Sequence, residues 1–343
     1  MEASTAAMQI YDVIIVGAGP VGLACAIEAN REGLRALVID KGALVNSLVG
    51  YPARMEFFST PELIEIGGYP FPVQGYKPTR EDAIEYYRGV SARENLEIRL
   101  YERVLHVNGD AGAFSIVTDR GEYQTRNVVV SIGFFDQPNL LNVPGEDLPH
   151  VTHYYREPYS YVRQKVAVLG ARNSAAKAAL DCYRHGAEVT LIVRTPVLSD
   201  KIKYWIRPDL ENRITEGSIR AYFSTTVEEI RETSILLRTA DGPVVVETHW
   251  VIAMTGYHPD YGFLEALKIR IAEDVYRTPV YDETTFETTR AGLYLAGTVC
   301  GGLQTGRWFI ENGRFHARQI IKHIAHRRIE PVQFDAVHWK TAE

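Results

Sequence analysis

Two segments of this chain have the spacing that holds phosphate. Residues 11–22, YDVIIVGAGPVG, run from an apolar stretch through a glycine turn into a helix start, and residues 165–176, KVAVLGARNSAA, repeat the layout. In the first, Gly17 permits the tight turn, Gly19 lets the backbone approach a pyrophosphate, and Gly22 lets the helix pack on the strand. The unpaired N–H groups of the helix start then face phosphate charge. Asp40 ends the next strand, 23 positions after Gly17, where a carboxylate hydrogen-bonds the adenosine ribose. One such turn points to one dinucleotide. Two in one chain point to two, and to electron transfer between them.

The second turn departs from the pattern. Gly170 keeps the tight turn, Arg172 replaces the second glycine, and Ala175 the third. Alanine is tolerated where helix meets strand. At Arg172 a side chain stands where backbone should approach the ligand, so its guanidinium is read as pairing with a phosphate. Asn173 and Ser174 are read as capping the helix and donating to phosphate oxygens. Arg194 ends the second strand, 24 positions after Gly170. An arginine there pairs with a 2′-phosphate that a carboxylate would repel, which favours NADPH over NADH. Lys201 and Lys203 follow closely and extend the basic pocket.

These residues must be carried by strand–turn–helix units. In the first half we expect a strand at 13–16, a helix at 21–32, a strand at 36–39, a loop at 67–79, a helix at 80–94, and β segments at 98–105, 114–118 and 123–131. The second half repeats this with strands at 166–169 and 188–193 around a helix at 174–185, then β segments at 218–223, 235–239 and 244–254. A buried strand at 292–297 and a long helix at 309–328 complete the chain, leaving a Pro-containing tail at 329–343. The expected fold class is therefore α/β, with two Rossmann-like dinucleotide-binding domains, the second inserted into the first. The boundaries are set at 9–155 with 285–343 for the first domain and 156–284 for the second, with crossings near 149–158 and 281–289.

The 343 residues suffice for two ordinary domains. A net charge of −6 argues against a general nucleic-acid binder. No apolar run reaches the length of a membrane span, and residues 1–8 lack the features of a signal peptide. The three cysteines, Cys25, Cys182 and Cys300, are widely separated. That excludes a disulfide scaffold, a zinc knuckle and an adjacent redox pair, and no metal site is expected. A cytoplasmic protein with free thiols fits this usage.

The strand GLYLAG at 292–297, together with LSDKIKYWIRPDLENR at 198–213 and FIENGRFH at 309–316, carries a closer likeness. With the two turns, these segments make the chain resemble the thioredoxin-reductase-like flavoproteins, and within them the YpdA-type bacillithiol disulfide reductases. The resemblance implies FAD at the first turn and NADPH at the second. It adds Pro20, Lys41, Gly133, Gly256, Gly297 and Thr298 to the cofactor-binding residues. It also implies a helix start near 301–305 directing its dipole at the flavin. Thr298 stands where the family usually has Asp, and Val21 where these relatives often carry a cysteine. A thiol at that turn is therefore missing. Cys300, close to the expected flavin ring, is the remaining candidate catalytic thiol, with His153 and His316 as candidate acids. Tyr51, Tyr69, Tyr76, Tyr154, Tyr155 and Tyr159 are candidates to stack on the flavin or shape a substrate pocket. The acceptor implied is a small disulfide. A small electron-transfer protein (a ferredoxin or flavodoxin–NADP reductase activity) is the alternative, and a flavin-binding sensor without turnover a third. The resemblance also implies a homodimer or higher homo-oligomer.

Overall fold

The computed structural model describes residues 10–327; the lead-in at 1–8 and the tail at 329–343 lie outside the described residues. The chain begins with β1 (Ile10–Val16), α1 (Pro20–Arg31), β2 (Ala36–Ile39), α2 (Asn46–Val49), α3 (Pro61–Ile64), α4 (Arg80–Arg93), β3 (Ile98–Arg99), β4 (Val104–Asp110), β5 (Ala113–Thr118) and β6 (Glu122–Val130). It continues with β7 (Val151–Thr152), β8 (Lys165–Leu169), α5 (Asn173–Arg184), β9 (Glu188–Ile192), α6 (Arg207–Thr215), β10 (Arg220–Tyr222), β11 (Thr226–Ile230), β12 (Ser234–Thr239), β13 (Gly242–Glu247) and β14 (Trp250–Ala253). The last elements are α7 (Tyr261–Ala266), β15 (Leu293–Leu295), α8 (Ile310–Gly313) and α9 (His316–His326).

Chain contacts divide the molecule into two compact units, one of residues up to 49, 54–137 and 258 onward, the other of 50–53 and 138–257. The first carries a sheet ordered β3-β2-β1-β6-β5-β4, with β15 also on β6. Strand β6 pairs parallel with β1 along one edge and serves two neighbours along the other. Its N-terminal half pairs antiparallel with β5, while Val128–Val130 pair parallel with β15. The sequence of β1 explains its central place, because Val13, Ile14 and Ile15 are apolar on both faces and fully buried, as a parallel strand covered on both sides requires. α4 is started by a capping box in which the Thr79 hydroxyl accepts the Asp82 N–H and the Asp82 carboxylate accepts the Thr79 N–H.

The second unit repeats the plan, with a parallel sheet ordered β10-β9-β8-β14-β7 and a separate antiparallel sheet β11-β12-β13. α5 buries an alanine-rich face, Ala175, Ala176, Ala178 and Ala179, whose small side chains bring the helix close to the sheet. Among the described residues no helix is long and apolar enough to cross a membrane.

Several expectations need correction. The crossings fall at 137/138 and 257/258, not at 155 and 285. The reason is pairing: Val151 and Thr152 join β14, so residues before 156 belong to the second unit's sheet. The β segment expected at 98–105 is two strands on different neighbours, broken at Tyr101 in a left-handed conformation (φ 55°). The segment at 244–254 is likewise two strands, β13 in the antiparallel sheet and β14 in the parallel one. The long helix at 309–328 is α8 followed by α9, and residue 328 lies outside the described residues.

Candidate functional site

Strands β1 and β8 each run into a glycine turn, and the two turns share a backbone skeleton. At the first, the Gly17 N–H donates to the Ile39 carbonyl at 2.8 Å; at the second, the Gly170 N–H donates to Ile192 at 3.0 Å. The residue after each glycine accepts from the loop beyond the next strand, Ala18 from Val45 at 3.1 Å and Ala171 from Ser199 at 3.2 Å. Both glycines sit at positive φ, 113° and 133°, a region that disfavours side chains. Any Cβ there would also press on a strand end, 2.6 Å from the Ser131 carbonyl oxygen in one case and 2.6 Å from that of Met254 in the other.

The first turn is tight and neutral at its tip. A Cβ on Gly22 would stand 2.0 Å from the Gly17 oxygen, whereas one on Gly19 meets nothing within 4 Å. Helix and turn are thus in contact at Gly22, and open space lies over Gly19. Pro20 occupies the first helical turn, where its missing N–H costs nothing. The Asp40 carboxylate accepts the Ala18 N–H at 2.7 Å and the Gly42 N–H at 2.8 Å. Burial raises its carboxyl above the ordinary carboxylate value, against the pull of those two bonds. Asp40, expected to bond a ribose, is also the pin of the turn. Lys41 forms an ion pair with Asp136 at 2.8 Å.

Ser131 escaped the sequence reading. Its hydroxyl hydrogen-bonds the carbonyls of Val16 and Gly17, at 3.1 and 3.0 Å. Its signal was positional: it is the first residue beyond the strand that pairs with β1. Gly133 and Thr298 come together, a Cβ on the glycine lying 3.5 Å from the Thr298 hydroxyl. Gly297 packs on Val21, and Gly313 packs on both. The Gly297 N–H donates to Nδ1 of buried His316 at 3.1 Å. With Nδ1 accepting, the ring proton sits on Nε2, and burial lowers the imidazole to about 4, with Arg307 adding to the effect. A neutral His316 that supports the backbone here is no poised acid. No helix begins at 301–305: residues 297–301 form a short 3-10 turn and α8 starts at Ile310, which removes the expected dipole at that position.

The second turn is open and basic. Arg172 and Arg194 are exposed, and their side chains make no hydrogen bond or ion pair among the described residues. Ala175 is buried, with its methyl 3.0 Å from where a Gly170 side chain would stand. Ser174 is exposed in the first turn of α5. Asn173 differs from its expected role: it does not cap the helix, since Arg172 holds the cap position without a side-chain bond. Its amide instead donates to the Lys201 carbonyl at 3.1 Å and accepts the Lys203 N–H at 2.9 Å. Both polar ends are used to fasten the basic loop to the turn. Within that loop the Lys203 ammonium lies over the Trp205 ring. Gly256, after β14, accepts the Asn139 N–H at 2.9 Å through its carbonyl, the place Gly133 takes after β6.

Cys300 needs correction as a catalytic candidate. It is fully buried, and burial pushes its thiol well above the ordinary value, so thiolate and access are both lacking. The aromatic candidates are dispersed. The Tyr69 hydroxyl bonds Glu94 and Tyr155 bonds Asp181 of α5. Tyr159 lies edge-on to His185, and Tyr76 is exposed. His153 lies 3.1 Å from Glu146, inside the second unit.

A family model described as pyridine nucleotide-disulphide oxidoreductase matches residues 14–297, a span that includes both turns. The chain belongs to this family. As a pyridine nucleotide-disulphide oxidoreductase it is a flavin- and nicotinamide-using reductase by class. It is 40% identical over 92% of its length to the bacilliredoxin reductase Bdr of Bacillus subtilis, covering 97% of that protein. The bacillithiol disulfide reductase Bdr (YpdA) from Bacillus cereus superposes with a TM-score of 0.90 at 39% identity, over 92% of this chain and 99% of that one. The corresponding Staphylococcus aureus structure gives 0.89 at 37%, over 92% and 98%. The expected resemblance and the thioredoxin-reductase-like fold class therefore hold for this pyridine nucleotide-disulphide oxidoreductase.

Proposed function

We propose that this reductase holds FAD at the Gly17–Gly22 turn, takes NADPH at the Gly170–Ala175 turn, and reduces a low-molecular-weight thiol disulfide, bacillithiol disulfide first. The observation that carries the cofactor assignment is the contrast at the strand ends. Asp40 is committed to its own turn, and the Arg194 side chain is exposed and unpaired among the described residues. A carboxylate suits a ribose diol and repels a 2′-phosphate; an arginine receives that phosphate through two parallel N–H bonds. The fit at the first turn rests on the open space over Gly19 beside a helix start packed at Gly22, which gives a pyrophosphate room and N–H donors. When bound, the flavin accepts hydride from reduced nicotinamide and supplies two electrons to the acceptor.

This chain's residues do the rest. Gly17, Gly19, Pro20 and Gly22 shape the turn, while Asp40 and Ser131 lock it. Lys41, Gly133, Gly297 and Thr298 border it. Arg172, Arg194, Ser174 and Lys203 receive the nicotinamide dinucleotide's phosphates, with Asn173, Ala175 and Gly256 fixing the backbone that presents them. The acceptor class is drawn from the bacillithiol- and bacilliredoxin-reductase names of the relatives. A homodimer or higher homo-oligomer in the cytoplasm belongs to the same reading, and light scattering reads the first part of it.

A paired assay tests the acceptor. Under NADPH, we expect turnover with bacillithiol disulfide to exceed that with oxidised ferredoxin. Fast ferredoxin reduction with no disulfide turnover would replace this reading with a ferredoxin–NADP reductase. A flavin that NADPH reduces but no acceptor reoxidises would make the protein a sensor.

A further inference from the structure

We propose that this protein passes electrons to its disulfide acceptor without any of its own cysteines, so that no covalent enzyme–substrate link forms. The inference rests on the disulfide reading above. The chain has three cysteines, all described, all free and all at zero exposure. Cys25 is in the middle of α1, Cys182 is in α5 and Cys300 is in the 3-10 turn after β15. Each is a core residue by packing. Cys182, for example, belongs to the cluster of Val166, Val168, Ala178 and Ala179 beneath the second sheet.

Three conditions for thiol–disulfide exchange fail together. The attacking sulfur must reach the substrate sulfur in line, and none has a solvent-facing surface. It must be thiolate, yet burial raises all three thiols well above their ordinary value, which disfavours the thiolate at neutral pH. A second thiol must resolve the mixed disulfide. Cys25 and Cys300 are the one pair near enough to influence each other, and both are closed off. The turn itself offers no substitute, because Val21 is apolar and packed against Gly297 and Gly313.

The balanced step needs no protein sulfur. With a flavin held at the first turn, NADPH would supply two electrons and one proton, and solvent would supply the second proton. The substrate S–S bond breaks to give two thiols, and no bond to the protein is made or broken. What the chain contributes is the holding of both dinucleotides.

The test counts thiols as well as activity. Holoenzyme is fully oxidised, or fully reduced with NADPH, then denatured and alkylated; three labelled cysteines are expected in both states. A count of one in the oxidised state would reveal a cycling disulfide and overturn the proposal. Intact mass after acid quench during turnover with bacillithiol disulfide should equal that of the unmodified chain, and a mass increase of one bacillithiol would overturn it. Cys25→Ala, Cys182→Ala and Cys300→Ala should each keep kcat within about twofold of the parent. Should one of these fail to fold, the mass and thiol counts on the unaltered protein decide. Were ferredoxin reduced and no disulfide, the acceptor reading would fall, and a constant count of three through that turnover would still support cysteine-free transfer.

Discussion

The two glycine turns place the same backbone bonds at the same positions and differ in the side chains they carry. Gly17 and Gly170 bond the strand beside them, and Ala18 and Ala171 receive the following loop. Then the turns part: Gly19, Gly22 and Asp40 in one, Arg172, Ala175 and Arg194 in the other. Where the carboxylate pins the first turn from inside, the second is fastened from outside by Asn173 and the basic loop. A closed, internally neutralised turn suits a ligand held permanently. An open turn with two unpaired guanidiniums suits one that arrives and leaves each cycle. The lesson is that a duplicated scaffold can keep its backbone bonding and reassign its ligand through the strand-end charge.

The comparison breaks most visibly at the helix contact. Gly22→Val puts a branched side chain where even a Cβ would be 2.0 Å from the Gly17 oxygen; we expect protein that is flavin-free or insoluble, read from the visible absorbance per chain. Its counterpart, Ala175→Gly, costs helix propensity and one buried methyl, about 1–2 kcal/mol, and should leave flavin content unchanged. Asp40→Ala leaves the Ala18 and Gly42 N–H groups without their acceptor, a loss of about 1–3 kcal/mol for each, seen as a lower melting temperature and reduced flavin retention.

His316 adds a pH signature to the first unit. Its folded value of about 4 lies below the ordinary 6.5, so the unfolded chain binds the extra proton. Its contribution is present above pH 6.5 and lost as pH falls from there through about 4, by about 3 kcal/mol. His316→Asn, which keeps an acceptor near Nδ1, should flatten the melting temperature across that window; an unchanged slope would show the histidine is not buried neutral. The smallest effect is expected at Asn173→Ala, where loosening the basic loop should raise KM for NADPH severalfold, about 1 kcal/mol, with kcat and flavin content preserved.

Much of this was legible in the sequence because the turns need particular residues at fixed spacing. The buried apolar runs of β1 and β8 and the charge swap at 40 and 194 are local facts. What pairs across the chain was not. Nothing at Ser131 or His316 announces that they support Gly17 and Gly297 from more than 100 and from 19 residues away. The unit boundary was misplaced because two residues, Val151 and Thr152, are too short a strand to leave a periodic signal. Asn173 resembled a helix cap by residue type, and only the fold of the 199–203 loop shows its amide to be spent elsewhere. Cys300 was suggested by position along the chain, and burial, a property of packing, removed it.

The central claim is that strand-end charge divides the two dinucleotides. It is tested most directly by anaerobic stopped-flow bleaching of the flavin by NADPH and by NADH, in the parent and in Arg194→Ala. We expect the parent to favour NADPH strongly, and the variant to lose about 10- to 100-fold in apparent NADPH affinity, the worth of one charge-assisted pair, while its NADH response stays unchanged. Equal bleaching by both nucleotides in the parent, or an equal loss for both in the variant, would contradict it.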